Sequence, residues 1–134
     1  GMMDVHGGAV SPLASLTPVA TTADVNAAAE AVKGVRVDAS VRDYILSIVT
    51  ATRESERIRL GVSPRGTLAL LAASRTAAAI DGRDYVIPDD VKSVAVPVLA
   101  HRIIAHTQGT VRLTDTNEKL IEFVLDSVPA PLGA

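Results

Sequence analysis

The stretch Gly61 to Leu71, GVSPRGTLALL, constrains this chain more than any other, because it forces one helix to stop and another to start within three residues. Gly61 suits the left-handed residue that closes a helix, Ser63 is a preferred N-cap, and Pro64 falls at the first helical position, where its missing N–H costs nothing. Arg65 then lies in the first turn, at the positive end of the helix dipole. A cation there is unfavourable by roughly 0.3–1 kcal/mol unless an anion joins it, whereas the same terminus plus a guanidinium makes a phosphate site. Gly66 leaves the backbone open to close approach by a neighbour or a ligand. Two readings stay open on these residues alone: an anion site centred on Arg65, and an exposed arginine on an ordinary helix start.

Around this junction the apolar periods spell out helices. A first helix is expected over about Thr22 to Lys33, with Val25, Ala28, Ala29 and Val32 on one face and Gly34 as its stop. Val35-Arg36-Val37 alternates like a strand but is too short to form a sheet alone. A second helix is expected from Asp38 or Ala39 to about Arg59, burying Val41, Ile45, Ile48, Val49 and Thr52, with Arg53, Glu54, Glu56, Arg57 and Arg59 as a solvated charged end. The third, Pro64 to about Ile80, is rich in alanine and apolar on more than one face, which predicts a central helix approached from several sides, with Arg75 and Arg83 reaching solvent. Gly82 ends it. Tyr85-Val86-Ile87 is an extended bridge to Pro88-Asp89-Asp90-Val91, a helix start whose two acids favour the dipole. That helix presents Val91, Val94, Ala95, Val98 and Leu99 on one side, and Pro97 is expected to kink it. A short strand pair is expected around Ile103 and Val111, then a last helix from Asp115 to Val128 with Glu118 completing a capping box. Ile87 sits at an N-cap position without an acceptor, a loss of about 1 kcal/mol against Ser or Thr unless the residue is buried. The fold class is therefore all-α, a compact bundle of four to five helices with at most one short two-stranded pair.

The 134 residues fit one domain, which can bury roughly two-thirds of its unfolded surface. Residues 1–20 carry Gly7, Gly8, Pro12 and Pro18 and read as a linker or expression-derived tail, 21–128 as the helical domain, and 129–134 as a C-terminal tail. With no cysteine there is no disulfide, cysteine zinc site or thiol nucleophile, and the composition fits a reducing cytoplasm. Formal net charge is -2 with scattered basic residues, against a nucleic-acid face. No apolar run is long enough for a membrane span. His101 and His106 are five apart and share no helix face, so no metal site is expected. Gly61-x4-Gly66-Thr67 has the outline of a phosphate loop, yet threonine stands where that motif requires lysine. Asp89 and Asp90 fit capping and dipole stabilisation, not a general acid and base pair.

The ordered series G-x-S-P-R (Gly61 to Arg65), the apolar helix, G-R-D-Y-V (Gly82 to Val86), P-D-D-V (Pro88 to Val91) and V-L-A-H-R (Val98 to Arg102) closely resembles the C-terminal helical lid of the MoxR family of AAA+ ATPases. The likeness runs from about Pro12 to Val128. It implies that Arg65 is the sensor-2 residue, reaching the terminal phosphate of ATP held by a neighbouring core, with Ser63, Pro64 and Gly66 supporting its turn. It also implies ATP with magnesium in the parent protein, though no cofactor or catalysis is expected of this segment alone, which lacks the Walker motifs. Implied partners are the AAA+ core of the same chain, neighbouring subunits of a ring, von Willebrand factor A-domain proteins and client enzymes, methanol dehydrogenase among those of relatives. Chaperone-like remodelling in the cytoplasm, without nucleic acid or membrane, is the implied function. The other reading is a stand-alone helical module for protein interaction or DNA binding.

Overall fold

A computed structural model describes residues 16–106 and 116–132. The chain divides into two units, residues 1–30 and 31–134. In the first, α1 (Thr22–Lys33) begins at a reciprocal cap. The Asp24 N–H donates to Thr21 Oγ1 at 3.1 Å, and the Thr21 N–H donates to Asp24 Oδ2 at 2.9 Å. The apolar stripe expected on α1 is present, but none of its residues is buried. Two of its four members are alanines, so the stripe's apolar area gives little drive to burial.

The second unit is built from α2 (Ala39–Glu54), β1 (Ile58–Leu60), α3 (Pro64–Ile80), α4 (Pro88–Leu99), a 3-10 turn at Ala100–Arg102, β2 (Ile104–Ala105) and α5 (Asn117–Ser127). The expected all-α class with one short two-stranded pair is what the chain adopts. Ahead of α2, Val35-Arg36-Val37 finds its partner in the α3–α4 connection. The Arg36 N–H donates to the Asp84 carbonyl and the Val86 N–H to the Arg36 carbonyl, burying Val35, Val37 and Val86.

On α2 all five expected residues are buried, with Tyr44 beside them. The helix stops at Glu54, short of Arg59, because Ser55 offers the backbone another arrangement. Ser55 turns to φ -69 and ψ 131, its Oγ accepts from the Arg57 N–H and its carbonyl from the Ile58 N–H. Ile58 is then buried on β1, which pairs antiparallel with β2 (Ile58 with Ala105, Leu60 with Ile104). The strand pair therefore joins the Ile103 region to Ile58–Leu60; the partner expected near Val111 lies outside the described residues. Arg57 does not simply solvate the surface: its guanidinium lies 4.3 Å from the centre of the Phe123 ring on α5.

The expectation that α3 is buried on several faces is wrong. Only Gly66, Leu70, Ser74 and Ala78 are buried, a single row at intervals of four, while Leu68 and Ile80 are 66% and 83% exposed. Three of the four row residues are small, which permits close approach by a neighbour, and α3 packs chiefly against α4. A Schellman motif ends α3, with Gly82 at φ 79, its N–H on the Ala79 carbonyl and the Arg83 N–H on the Ala78 carbonyl.

Arg83 is not a free surface arginine but a half-buried one. Its guanidinium grips the buried Asp90 carboxylate through two bonds of 2.7 and 2.6 Å and also donates to Asp81 and to the Tyr85 carbonyl. Asp90 in turn accepts from the Ile87 N–H at 2.8 Å, so the start of α4 is held by the acid at its third position and not by the Ile87 side chain, which is half-buried. Arg75, also expected in solvent, is half-buried, its Nε shielded and without a partner among the described residues. Helix α4 runs past the exposed Pro97 to Leu99 and tightens into the 3-10 turn; Val91, Ala95 and Leu99 are its buried line. The cap of α5 is Thr116, whose Oγ1 accepts from the Lys119 N–H, so Lys119 and not Glu118 holds the third position; Asp115 lies outside the described residues. Leu120, Ile121 and Val124 complete the core.

Candidate functional site

The start of α3 is built as the residues of the junction require. Ser63 is the N-cap at φ -77 and ψ 168; its Oγ accepts from the Gly66 N–H at 3.2 Å, and its carbonyl accepts from the Thr67 N–H and Thr67 Oγ1. Pro64 has no N–H to offer. The N–H groups of Gly66 and Thr67 are thus satisfied, while those of Ser63 and Arg65 have no acceptor among the described residues. The Arg65 side chain is exposed and forms no hydrogen bond or ion pair among the described residues. The terminus thus presents an exposed guanidinium beside backbone N–H groups of Ser63 and Arg65 that have no acceptor among the described residues.

Gly61 and Gly66 do not serve the chemistry directly. Gly61 has no positive φ; instead a Cβ there would lie 2.8 Å from the Arg53 Cα, Cγ and N, so glycine lets the loop press against the last turn of α2. A Cβ on Gly66 would meet Val62 Cγ1 at 2.6 Å, so the neighbour that its bare backbone admits is the chain's own Val62, which is 1% exposed.

Val62 is held from both sides of its backbone, a feature that the sequence reading missed. Its N–H donates to Thr52 Oγ1 at 3.0 Å, and its carbonyl accepts from Arg53 Nε at 2.9 Å. The Thr52 hydroxyl proton is committed to the Val49 carbonyl at 2.6 Å, which turns its lone pairs toward Val62. The only trace of this in the sequence is a threonine on the buried stripe of α2, a polar residue that needs a partner there. An open cleft of about 240 Å³ runs between α2 and α3, lined by Arg42, Ile45, Leu46, Thr67, Leu68 and Leu71.

Burial works against charge on Asp90, but the bonds from Arg83 and the Ile87 N–H outweigh it and hold the carboxyl below the usual range. The hydrogen bond to Asp90 in turn raises the affinity of Arg83 for its proton. Both groups fix the α3–α4 connection, far along the chain from Arg65. Among the described residues no cluster of three or more His, Asp or Glu forms a metal site, and no helix is long and apolar enough to cross a membrane.

Residues 50–122 match the family model described as the AAA lid domain. The chain is 36% identical over 121 residues to the Bacillus subtilis protein YeaC, covering 90% of this chain and 38% of that one. It is 38% identical to the chaperone MoxR1 of Mycobacterium tuberculosis over 66% of this chain and 26% of that one, and 32% identical to the MoxR protein of Paracoccus denitrificans over 73% and 33%. A crystal structure of a candidate ATPase from Cytophaga hutchinsonii superposes with a TM-score of 0.73 at 29% identity, over 81% of this chain and 36% of that one. The chain spans well under half of each of these relatives. The matched helices, the Ser-Pro-Arg junction and the short strand pair together identify a AAA lid domain, and the chain belongs to the MoxR family of AAA+ ATPases.

Proposed function

We propose that this lid closes over ATP bound by a core in the same parent protein and reads the terminal phosphate through Arg65, in the sensor-2 role. The observation that carries the reading is the state of the α3 terminus: Ser63 satisfies the neighbouring donors, while the Arg65 guanidinium and N–H remain open to an outside acceptor. A phosphate oxygen fits both, since the guanidinium fork matches its geometry and the helix end favours negative charge. Ser63, Pro64 and Gly66 support the turn and need not touch the nucleotide. Magnesium would be held by the core.

The lid then has two linked effects. Arg65 stabilises charge on the phosphate as it is transferred, and the presence of that phosphate favours the closed lid. In a ring of such chains, closure passes to the neighbouring subunit and drives chaperone-like remodelling or maturation of partner proteins, among which we place von Willebrand factor A-domain proteins and client enzymes, in the cytoplasm. One relative carries the name chaperone, which supports this direction.

In the ATPase that carries this lid, Arg65→Ala lowers turnover by about tenfold or more, the order expected for losing one preorganised donor. Arg65→Lys recovers only part of it, because a point charge cannot reproduce the planar fork. Turnover at the unaltered rate, with normal assembly, overturns the assignment.

A further inference from the structure

We infer that Thr52 and Arg53 are positioning residues for the phosphate contact of Arg65, acting through the backbone of Val62; this rests on the sensor reading above. The Arg65 side chain is exposed and has no hydrogen bond or ion pair among the described residues, so its place is set by the backbone that carries it. Its position is inherited from the loop Gly61–Ser63, and that loop is gripped at Val62. Both polar groups of the Val62 backbone are bonded to consecutive residues of α2, at 3.0 and 2.9 Å, and the Val62 side chain is packed under Gly66 within the first turn of α3. Gly61 removes the one Cβ that would hold the loop away from Arg53.

The grip therefore ties the N-terminus of α3 to the last turn of α2 at a point three residues before Arg65. Consecutive residues on a helix point about 100° apart, and here Thr52 reaches the N–H from the buried face while Arg53 reaches the carbonyl from the exposed one. A peptide held from two directions loses the freedom to swing. A charge-stabilising group misplaced by 1 Å can cost about a hundredfold in rate, so a sensor on an exposed first turn depends on such a hold.

Two measurements test this. On the present chain, amide hydrogen exchange in Thr52→Val, which keeps the shape and loses the acceptor, speeds exchange at Val62 by about tenfold or more relative to Ile48 in the core, and Thr52→Ser restores protection. Unchanged relative protection at Val62 overturns the hold, whatever happens at Arg65. In the ATPase that carries this lid, Thr52→Val lowers kcat by about tenfold with the KM for ATP changed by no more than about threefold, and Thr52→Ser recovers most of it. The same change made on Arg65→Ala lowers kcat by less than about twofold, since the group being positioned is already gone. An equal loss in both backgrounds overturns the inference and returns Thr52 to a purely structural role. Should Thr52→Val fold poorly, Arg53→Met, on an exposed residue, gives the same pattern through loss of the carbonyl bond. If Arg65→Ala alone leaves turnover unchanged, the sensor reading fails and this inference with it, while the exchange result still decides whether the hold on Val62 exists.

Discussion

At the scale of single residues, the buried carboxylate of Asp90 governs the acid side of stability. Its folded pKa is lowered, so its contribution is fully present above the unfolded carboxylate value of about 4 and is lost as pH falls through the folded pKa. Chemical unfolding measured from pH 6 downward shows a fall in stability below about pH 4 that flattens in Asp90→Asn. Asp90→Ala costs about 2–3 kcal/mol at neutral pH, because it strands the Ile87 N–H and removes the acceptor of two charged bonds. Tyr44 is the opposite case. Its ring is buried and its hydroxyl has no partner among the described residues; burial, and then the charge of Asp89, raise its pKa. The resulting stability is complete below the unfolded value of 10.0 and is lost as pH rises through and beyond it. Since an unbonded buried hydroxyl is a cost, Tyr44→Phe leaves the unfolding free energy unchanged or raises it by up to about 1 kcal/mol. A clear loss of stability would mean that the hydroxyl is bonded after all.

Three glycines on the flanks of α3 separate conformational from packing demands at the scale of elements. Gly82 has φ 79 and no atom within 4 Å of where a Cβ would stand, so Gly82→Ala carries only the backbone cost, about 1 kcal/mol. Gly61→Ala and Gly66→Ala bring a methyl to 2.8 Å from the α2 backbone and to 2.6 Å from Val62 Cγ1. Both cost more than Gly82→Ala, with Gly61→Ala the larger of the two because backbone cannot yield as a side chain can. Thermal unfolding of the three variants gives the order directly. In the ATPase, Gly61→Ala also slows turnover, through the same loop that carries Arg65. The helix end at Gly82 and the loop at Gly61 look alike in sequence, each a glycine after a helical stretch with charged residues, yet they answer to different physics.

For the whole molecule, the chain is a AAA lid domain, and the phosphate-sensing role we propose for it depends on chemistry supplied from elsewhere. Phosphoryl transfer requires a phosphate cradle, a metal-holding site and an oriented water, and the sequence of this chain carries no Walker A lysine. The isolated chain releases phosphate from ATP no faster than a blank, and it binds ATP weakly, since one guanidinium and one helix end facing water retain little of their Coulomb energy. Phosphate release above the blank by the purified chain would contradict this. The fold that presents Arg65 draws on one continuous core from Val35 to Val124, so changes at Leu99 or Ile121 disturb the site only by unfolding it, whereas changes at Val62 and its holders shift it.

The sequence by itself determined whatever rests on contacts within about one helical turn. Ser63 and Pro64 set the start of α3, Gly82 set its end, Pro88 with its acids set the start of α4, and the stripe on α2 named its own buried residues. The place of Arg65 in an open first turn, and the family likeness carried by the ordered motifs, were legible for the same reason. The tertiary structure alone decided everything that depends on a partner far along the chain. Glu56 to Arg59 carries no signal that separates a charged helix end from a strand until Ile104 is there to pair with, and the alanines of α3 look alike until the packed chain buries the row of Gly66, Leu70, Ser74 and Ala78. Arg83 reads as a surface arginine until Asp90, seven residues on and across a turn, closes on it. Thr52 and Arg53 become holders of the Val62 backbone, just ahead of α3, only when the chain returns ten and nine residues later, because a side chain's partner is chosen by where the backbone comes back and not by its own local pattern.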